Sequence, residues 1–312
     1  MRTMMALRAH ARGGPETLVL EPAPRPVAGP GEVLVAVAAA GITFTELEWD
    51  ETWTRAGQDR TPTIPAHEVS GTVAEVGDGV TGFRPGDEVY GLVPFDRDGA
   101  AAEYVLAPAS GLAVKPAALS HAEAAAMPLG ALTAWQALVD HARLAPGERV
   151  LVHGGAGAVG AFVVQLAVAL GADVTATALG SDADFVKGLG AGRVIDFQRE
   201  VFDADGAVYD VVVDTVGGAV LDRSFDVLRP GGRLINLRVR PSQAEADRRG
   251  VAAIFFVVSA DRVALTRLAQ LADSGRLRVT VAGTFPLTQG RTAFETGRTV
   301  QRAPGKTVLI VG

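Results

Sequence analysis

Residues 153–174 read HGGAGAVGAFVVQLAVALGADV, a nearly uncharged stretch close to the roughly 20 residues that a membrane span requires. It opens with Gly155-x-Gly157-x-x-Gly160, directly after the strand-like sequence RVLVH. Such a turn can hold a diphosphate: the first glycine makes the turn, the second admits the phosphates and the third lets helix and strand pack closely. Gln165 and the many small residues suit a lipid-facing helix poorly. The stretch therefore predicts a nucleotide-binding turn and a buried helix, with a plain glycine-rich core turn as the alternative.

Composition limits the classes of protein to which the chain can belong. It has 312 residues, 48% hydrophobic and 21% charged, which predicts two domains with substantial cores. A net charge of −6 without a basic cluster argues against a nucleic-acid partner. The chain has no cysteine, which excludes disulfides, thiolate nucleophiles and cysteine-ligated zinc. Arg8 and Arg12 interrupt an apolar start too short for a secretory signal, so we expect a cytoplasmic protein without a membrane partner.

Hydrophobic patterning divides the chain into two kinds of region. Short β segments separated by Gly/Pro turns fill the first 120 residues and return between residues 277 and 312, which predicts a mostly β domain. Ser120 and Glu123 form a capping-box pattern that opens a helix. Strand and helix patterns then alternate, which predicts a parallel sheet covered on both faces. The predicted strands are 149–153, 172–178, 193–197, 209–216, 232–238 and 251–258, and the predicted helices are 132–142, 158–170, 182–189, 219–228, 242–249 and 261–273.

The end of the second predicted strand of this sheet bears on the choice of dinucleotide. A carboxylate there would bind the ribose 2′-hydroxyl of NAD, but the sequence reads Ala178-Leu-Gly followed by Ser181 and Asp182. Ser181 as a helix N-cap and Asp182 as a first-turn acid are the simpler interpretations, with a 2′-hydroxyl contact from Asp182 as the alternative. The missing carboxylate leaves room for a 2′-phosphate, and Lys187 is the nearest cation in sequence. The pattern favours NADPH over NADH.

Several segments along the whole chain resemble the medium-chain dehydrogenase/reductase superfamily, and within it the zinc-free, NADPH-dependent quinone oxidoreductases. The segments are GPGEVLVAVAAAGI (29–42), IPAHEVSGTVAEVGDGVTGFRPGDEVYG (64–91), AAAEYVLAP (100–108), MPLGALTAWQAL (127–138), GERVLVHGGAGAVG (147–160), YDVVVDTVGG (209–218), LRPGGRLIN (228–236) and GKTVLIVG (305–312). The resemblance implies an α/β protein. A GroES-like, mostly β catalytic domain (residues 1–122 and 265–312) would accompany a Rossmann NADP-binding domain (residues 123–264) with a doubly wound parallel sheet.

The same resemblance implies an active site in a cleft between the two domains, and a homodimer. Residues 251–258 would be the sheet edge that pairs across the dimer, with an ordinary edge strand as the alternative. Zinc-dependent members of the superfamily hold their catalytic zinc with ligands whose places here are taken by Thr43, His67 and approximately Leu129. One imidazole cannot hold a catalytic zinc, which needs three protein ligands, so we expect no metal site. We interpret His67 and Glu68 as hydrogen-bonded structural residues.

Without zinc as a Lewis acid, hydride addition to an activated acceptor is the easier chemistry. In a quinone, or an α,β-unsaturated carbonyl attacked at its β-carbon, the developing negative charge moves to an oxygen that hydrogen bonds stabilise. Related quinone oxidoreductases place an Asn beside nicotinamide and substrate where this chain has Thr43, and an Asp where it has Glu46. Thr43 and Glu46 are therefore the candidate catalytic residues. Trp49 and Trp53 are candidates to stack on a flat substrate, with packing beneath their loop as the alternative.

The resemblance also assigns cofactor contacts, with core packing at strand ends as the alternative. Thr133 lies in a Leu-Thr-Ala-Trp segment expected to turn toward the nicotinamide phosphate. Strand ends would supply further contacts near the nicotinamide, and Phe256 would line the substrate pocket. The predicted cofactor-binding residues are Thr133, Gly155, Ala156, Gly157, Ala158, Val159, Gly160, Ser181, Lys187, Thr215, Val216, Leu237 and Val257.

The sequence thus favours an NADPH-dependent reductase of a small-molecule quinone or enone. Two alternatives stay open: a zinc-independent alcohol or aldehyde dehydrogenase, and a non-catalytic NADPH-binding sensor or scaffold. The second alternative arises because Thr43 and Glu46 replace the Asn and Asp of the related enzymes.

Overall fold

The computed structural model describes residues 2–299 and 302–312. It divides into two compact units. The first consists of Met1–Leu129, Ser259–Gly275 and Val279–Gly312, and the second of Gly130–Val258 and Arg276–Arg278.

The strands are β1 (Thr3–Ala9), β2 (Leu18–Pro24), β3 (Glu32–Gly41), β4 (Thr54–Arg55), β5 (Gln58–Asp59), β6 (Glu68–Val76), β7 (Glu88–Leu92), β8 (Tyr104–Pro108), β9 (Leu112–Val114), β10 (Arg149–His153), β11 (Asp173–Ala178), β12 (Arg193–Asp196), β13 (Tyr209–Asp214), β14 (Leu228–Asn236), β15 (Ala252–Phe255), β16 (Val281–Pro286) and β17 (Lys306–Ile310). The α-helices are α1 (Asp50–Trp53), α2 (His121–Ala125), α3 (Pro128–Trp135), α4 (Gly160–Ala169), α5 (Ala183–Gly188), α6 (Ala219–Ser224), α7 (Gln243–Arg249), α8 (Arg262–Asp273) and α9 (Gly290–Glu295).

The second unit is built on a six-stranded parallel sheet. Its strand order is β12-β11-β10-β13-β14-β15, and every neighbouring pair is parallel. In order of appearance this is 3-2-1-4-5-6, the order of a dinucleotide-binding Rossmann sheet. The central strand β10 buries Val150, Leu151 and Val152 completely, as a strand covered on both faces should. The predicted parallel α/β fold is confirmed.

The first unit is organised around a mostly antiparallel sheet. Its strand order is β16-β17-β3-β6-β7-β9, and β8 also pairs with β3. The β1–β2 hairpin packs its apolar side chains into the same core, in which Leu7, Val33, Val105 and Leu309 are buried. The pairing of β17 with β3 sets Val308 opposite Gly41, and the pairing of β3 with β6 sets Glu68 opposite the same glycine. This register brings together the ends of three neighbouring strands, β17, β3 and β6.

Local signals in the sequence account for several element ends. The predicted capping box is present: Ser120 Oγ accepts from the Glu123 backbone N–H, and the Glu123 carboxylate accepts from the Ser120 N–H. The predicted strands 209–216 and 251–258 are too long, since β13 ends at Asp214 and β15 covers only Ala252–Phe255. The predicted helix 132–142 begins earlier, as α3, and continues as a π-helical segment over Gln136–His141.

The apolar stretch of the opening sequence folds as the ten-residue helix α4, which is buried from Gly160 through Ala167. Across residues 2–299 and 302–312, no helix combines the length and the apolar character needed to cross a membrane.

Candidate functional site

The glycine-rich turn connects β10 to α4 in the second unit. Its left-handed residue is Gly154 (φ 79°), one position before the residue that the sequence motif suggested. Gly155 is instead buried against the sheet, since a Cβ there would lie 2.8 Å from the Ala176 Cβ. A Cβ on Gly160 would lie 2.1 Å from the Gly154 carbonyl oxygen, so this third glycine lets the helix begin directly against the turn. Gly155 lies in the turn as expected, but the residue in the left-handed conformation is Gly154.

Gly157 differs from its two neighbours in the motif because it is exposed at the tip of the turn. A Cβ built on it would meet only the Gly154 carbonyl oxygen, at 3.2 Å, within a 4 Å radius. No side chain caps the N-terminus of α4, where the N-cap residue is Val159. A helix N-terminus carries a partial positive charge that suits an anion, although the N–H groups of Gly157, Ala161 and Phe162 here donate to carbonyl oxygens of the same turn. The turn formed by residues 154–160 therefore fits a dinucleotide diphosphate.

Helix α3 packs closely on this turn. A Cβ on Gly130 would lie 2.6 Å from the Ala158 carbonyl oxygen, so only a glycine allows the approach. Thr133 follows one helical turn later and is 6% exposed. The expectation that Thr133 lies in a turn is wrong, because the residue is inside α3, but the structure does bring its helix to the glycine turn.

The carboxyl end of β13 carries a polar network that the sequence did not reveal. Asp214 is fully buried, and its Oδ1 accepts hydrogen bonds from the N–H groups of Val216 (2.8 Å) and Gly217 (3.0 Å). Its Oδ2 accepts from the Asn236 side-chain amide at 2.6 Å. Asn236 Oδ1 in turn accepts from the backbone N–H groups of Arg238 and Val239, each at 2.8 Å. The network fixes the loops that follow β13 and β14.

The loops after β13, β14 and β15 place apolar side chains at the carboxyl ends of the strands. Val216 and Val257 are 50% and 59% exposed. Leu237 and Phe256 are half-buried, and the Phe256 ring lies 4.3 Å from the His141 ring. In open parallel sheets, ligands bind outside the carboxyl ends of the strands. The predicted contacts Val216, Leu237, Phe256 and Val257 all lie at those ends.

The residues after β11 depart in part from the sequence interpretation. Asp182, and not Ser181, is the N-cap residue of α5, and its side chain makes no capping hydrogen bond. Ser181 lies in a short 3-10 turn and is exposed, as is Lys187 in α5. The N-cap interpretation of Ser181 is therefore wrong. Ser181 follows the end of β11 closely, whereas Lys187 lies in the last turn of α5.

In the first unit, Glu46 and His67 form a buried pair. His67 Nδ1 lies 2.8 Å from Glu46 Oε2, which also accepts from the Ala66 N–H at 3.0 Å. Glu46 and His67 are 1% and 2% exposed. Within the described part of the chain, Glu46 Oε1 is buried without a hydrogen-bond partner. The pair holds the loop after β3 against Ala66, which has a left-handed φ of 67°.

The two candidate stacking residues have different surroundings. Trp53 is 1% exposed in the core, and its indole N–H donates to the Leu47 carbonyl oxygen at 2.8 Å. This arrangement corresponds to packing beneath the loop. Trp49 is half-buried, with its ring 5.2 Å from Phe95, and Phe95 also lies 5.3 Å from the His67 ring. Trp49 therefore belongs to a small aromatic cluster with Phe95 and His67.

Thr43 contacts a buried ion pair that sequence reasoning missed. Lys306 Nζ donates to Thr43 Oγ1 at 3.0 Å and forms an ion pair with Glu68 Oε2. Glu68 Oε1 accepts from the Leu129 backbone N–H at 3.0 Å. Lys306 lies 263 positions from Thr43 in sequence, so no local pattern could have joined them. The only sequence feature that included Lys306 was the GKTVLIVG segment, which indicated a family resemblance but no role for the lysine.

Among residues 2–299 and 302–312, no three His, Cys, Asp or Glu side chains are grouped as a metal site would require. Of the three positions that hold zinc in the zinc-dependent enzymes, only His67 has a side chain that commonly binds zinc. Its Nδ1 forms a hydrogen bond with Glu46, and its Nε2 lies 3.1 Å from the Arg97 carbonyl oxygen.

Comparisons with known proteins agree with this architecture. Residues 29–117 match the family described as Alcohol dehydrogenase GroES-like domain, and residues 189–309 match that described as Zinc-binding dehydrogenase. A protein of Arthroderma benhamiae named "Probable zinc-binding oxidoreductase, mitochondrial" is 33% identical, covering 95% of this chain and 93% of that protein. The 2-methylene-furan-3-one reductase of Solanum lycopersicum is 33% identical over 89% of this chain and 71% of that enzyme.

Among solved structures, the quinone oxidoreductase of Coxiella burnetii superposes with a TM-score of 0.91 at 29% identity, covering 100% of both chains. The alignments extend over nearly the whole chain and include both of its units. The chain is therefore an oxidoreductase of the medium-chain dehydrogenase/reductase superfamily and belongs to its quinone oxidoreductase-like branch.

Proposed function

We propose that this protein is an NADPH-dependent reductase that transfers hydride to a quinone or to the β-carbon of an α,β-unsaturated carbonyl. The observation that carries the proposal is the exposed Gly157, at the tip of a turn whose other two motif glycines are buried. Without a side chain at this exposed position, a phosphate can approach the backbone at the tip of the turn. The named activities of the similar reductase and quinone oxidoreductase support the substrate class.

Bound NADPH would supply the hydride, and the side chains and backbone of this chain would position the reactants. The backbone of residues 154–160 would hold the diphosphate, while the loops fixed by Asp214 and Asn236 would offer Thr215, Val216 and Leu237 to the rest of the cofactor. Thr215 Oγ1 donates to the His153 carbonyl oxygen at 2.8 Å, which fixes its side chain. Exposed Ser181 and Lys187 are the proposed contacts of the 2′-phosphate.

In the first unit, Thr43 is the proposed catalytic residue. Its hydroxyl would donate a hydrogen bond to the carbonyl oxygen of the acceptor, which becomes negatively charged when hydride adds to the β-carbon. The π electrons of the C=C bond move toward that oxygen, and a proton from solvent then completes the product at the α-carbon. Trp49 would stack on a flat acceptor. Glu46, bonded to His67 and the Ala66 N–H, would position the loop without touching the substrate.

An acceptor panel tests the proposal. Quinones, cyclic enones and simple ketones would each be incubated with NADPH or NADH, and cofactor oxidation followed at 340 nm. We expect turnover of quinones or enones, none of simple ketones, and a lower KM for NADPH than for NADH. Tight NADPH binding without turnover of any quinone or enone would contradict the proposed reaction.

A further inference from the structure

We propose that Lys306 is a positioning residue. It donates a hydrogen bond to Thr43 and thereby leaves the Thr43 hydroxyl proton free to donate to the substrate oxygen. The inference rests on the proposed function, since it assigns how Thr43 would act in that reaction. Its basis is the contact of half-buried Thr43 with the buried ion pair of Lys306 and Glu68 in the first unit.

Strand register produces this arrangement. Val308 of β17 pairs with Gly41 of β3, and the Ile42 N–H donates to the Thr307 carbonyl oxygen at 3.0 Å. Continuing the antiparallel register by one residue sets Lys306 beside Thr43. On the other side of β3, Glu68 pairs with Gly41. The lysine, the threonine and the glutamate therefore come from three neighbouring strand ends, a rigid support for a hydroxyl that must be placed accurately.

Gly41 makes room for the ion pair. A Cβ at this position would lie 3.0 Å from Glu68 Oε2 and 2.5 Å from the Ala125 carbonyl oxygen. Any larger residue would thus displace the carboxylate that holds Lys306. The side chains of Lys306 and Glu68 are 7% and 1% exposed, so the pair is shielded from water. The Leu129 N–H satisfies the other Glu68 oxygen at 3.0 Å.

Hydrogen-bond chemistry then fixes the direction of the Thr43 hydroxyl. An ammonium group has three donors and no acceptor, whereas a hydroxyl has one donor and can accept. In the contact between Lys306 and Thr43, Thr43 Oγ1 must therefore accept, and its own proton must point elsewhere. A hydrogen bond from a charged donor also polarises the hydroxyl, because chains of hydrogen bonds strengthen one another at low dielectric. Lys306 thus makes Thr43 a directed and stronger donor.

This arrangement would assist the step that builds charge on the substrate. As hydride forms the new C–H bond at the β-carbon, the C=C electron pair moves to the carbonyl oxygen, and the reduced cofactor is oxidised. Thr43 donates to that oxygen throughout and is not itself deprotonated. The Lys306 ammonium stabilises the developing negative charge through Thr43, and Glu68 keeps the ammonium in place. The proton that ends on the α-carbon comes from solvent.

Four variants separate this role from a purely structural one. Thr43→Val removes the donor, and Thr43→Ser is its matched control. Lys306→Met alone would leave the buried Glu68 carboxylate unpaired and threaten folding, so it is combined with Glu68→Gln. The triple variant joins Thr43→Val to this pair. Circular dichroism and NADPH affinity, measured by fluorescence titration, confirm that each variant is folded.

We expect Thr43→Val to lower kcat by about 100-fold, the loss typical of one oxyanion donor, and the Lys306→Met/Glu68→Gln pair to lower kcat by less, because Thr43 can still donate but is no longer directed and polarised. KM for the acceptor and Kd for NADPH should stay within twofold of wild type, and Thr43→Ser should retain most activity. The triple variant should be no slower than Thr43→Val, because Lys306 acts through Thr43. Losses that multiply in the triple variant, or full kcat in the Lys306→Met/Glu68→Gln pair, would overturn the inference.

A binding measurement gives a readout independent of turnover. p-Nitrophenol is an oxyanion probe whose ionisation is followed at 400 nm. With NADP⁺ present, we expect wild type to lower the pKa of bound p-nitrophenol, and both Thr43→Val and the Lys306→Met/Glu68→Gln pair to reduce that shift. Wild type without a shift, or variants that retain it in full, would overturn the role of Lys306. Failure of the proposed function would appear separately, as absent turnover by wild type with every acceptor.

Discussion

Burial controls the ionisation of His153, which ends β10 immediately before the glycine turn. The residue is 1% exposed; its Nδ1 lies 3.3 Å from Thr177 Oγ1, and its Nε2 lies 3.2 Å from Ser224 Oγ. Burial lowers the pKa of His153 to about 4, the negative charge of Asp214 opposes that shift, and Arg223 adds to it. His153 is therefore neutral at pH 7, and its ring links β11 to α6 by hydrogen bonds.

This pKa predicts a loss of stability in mild acid. In the unfolded protein, His153 has its ordinary pKa of 6.5 and is protonated below that pH. In the folded protein, it becomes protonated only near pH 4. The contribution of neutral His153 to the free energy of unfolding is thus fully present above pH 6.5 and is lost as pH falls toward 4. The free energy of unfolding falls by at most about 1.4 kcal/mol per pH unit in this range. Between pH 7 and pH 5, wild type should lose up to about 2 kcal/mol more unfolding free energy than His153→Gln, measured by urea denaturation. Equal losses in the two proteins would show that His153 is not buried as described.

Single residues also show where sequence reasoning reached its limit. Thr43 was identified from its place in a familiar segment, but its partner Lys306 could not be, because strand pairing joins positions that are far apart in the chain. Similarly, Glu46 and not Glu68 pairs with His67, since the loop after β3 folds back over Ala66. Side-chain partners across a sheet depend on register, which the local pattern around each residue does not contain.

At the scale of elements, the turn between β10 and α4 makes a prediction that separates binding from folding. Gly157→Val adds bulk to the exposed tip, where a Cβ meets only the Gly154 carbonyl oxygen at 3.2 Å. It should weaken NADPH binding by more than about 10-fold, or about 1.4 kcal/mol, with a smaller loss of stability than Gly160→Ala. Gly160→Ala forces a Cβ to within 2.1 Å of the Gly154 oxygen. It should cost about 1–3 kcal/mol of stability and weaken binding as well.

Gly188→Ala is the matched control for both substitutions, because nothing lies within 4 Å of a Cβ at this position in α5. It should leave NADPH affinity unchanged and the melting temperature equal or slightly higher. Fluorescence titration with NADPH and thermal unfolding of all four proteins provide the comparison. Wild-type NADPH affinity in Gly157→Val would argue against a diphosphate on this turn.

Element types were more predictable than element ends. Continuous apolar strands and the Ser120–Glu123 capping box identified the parallel sheet and the start of α2 from local chemistry alone. The end of β13 was missed, because the buried Asp214 carboxylate binds the N–H groups of Val216 and Gly217 and turns the chain two residues early. That hydrogen bonding exists only in the folded protein, whereas the apolar run in the sequence continues through Val216.

At the scale of the whole molecule, both units follow from patterns that the sequence displays, and the strand order of the second unit is that of a dinucleotide-binding Rossmann sheet. A homodimer and a cytoplasmic location stay predictions. β15 lies at the edge of the six-stranded sheet, and Ile254 and Phe255 are only half-buried, which is compatible with pairing to a second copy. The preference for NADPH likewise stays a prediction, based on the absence of a carboxylate at the end of β11.

Isotope transfer tests the central claim, that this chain passes the hydride of a reduced nicotinamide directly to an acceptor carbon. NADPH carrying deuterium at C4, on one face and then on the other, would be incubated with a cyclic enone, and the product analysed by mass spectrometry and NMR. We predict one deuterium at the β-carbon of the product from one face of the cofactor and none from the other. A product without deuterium from either face, formed while NADPH is consumed, would contradict the account.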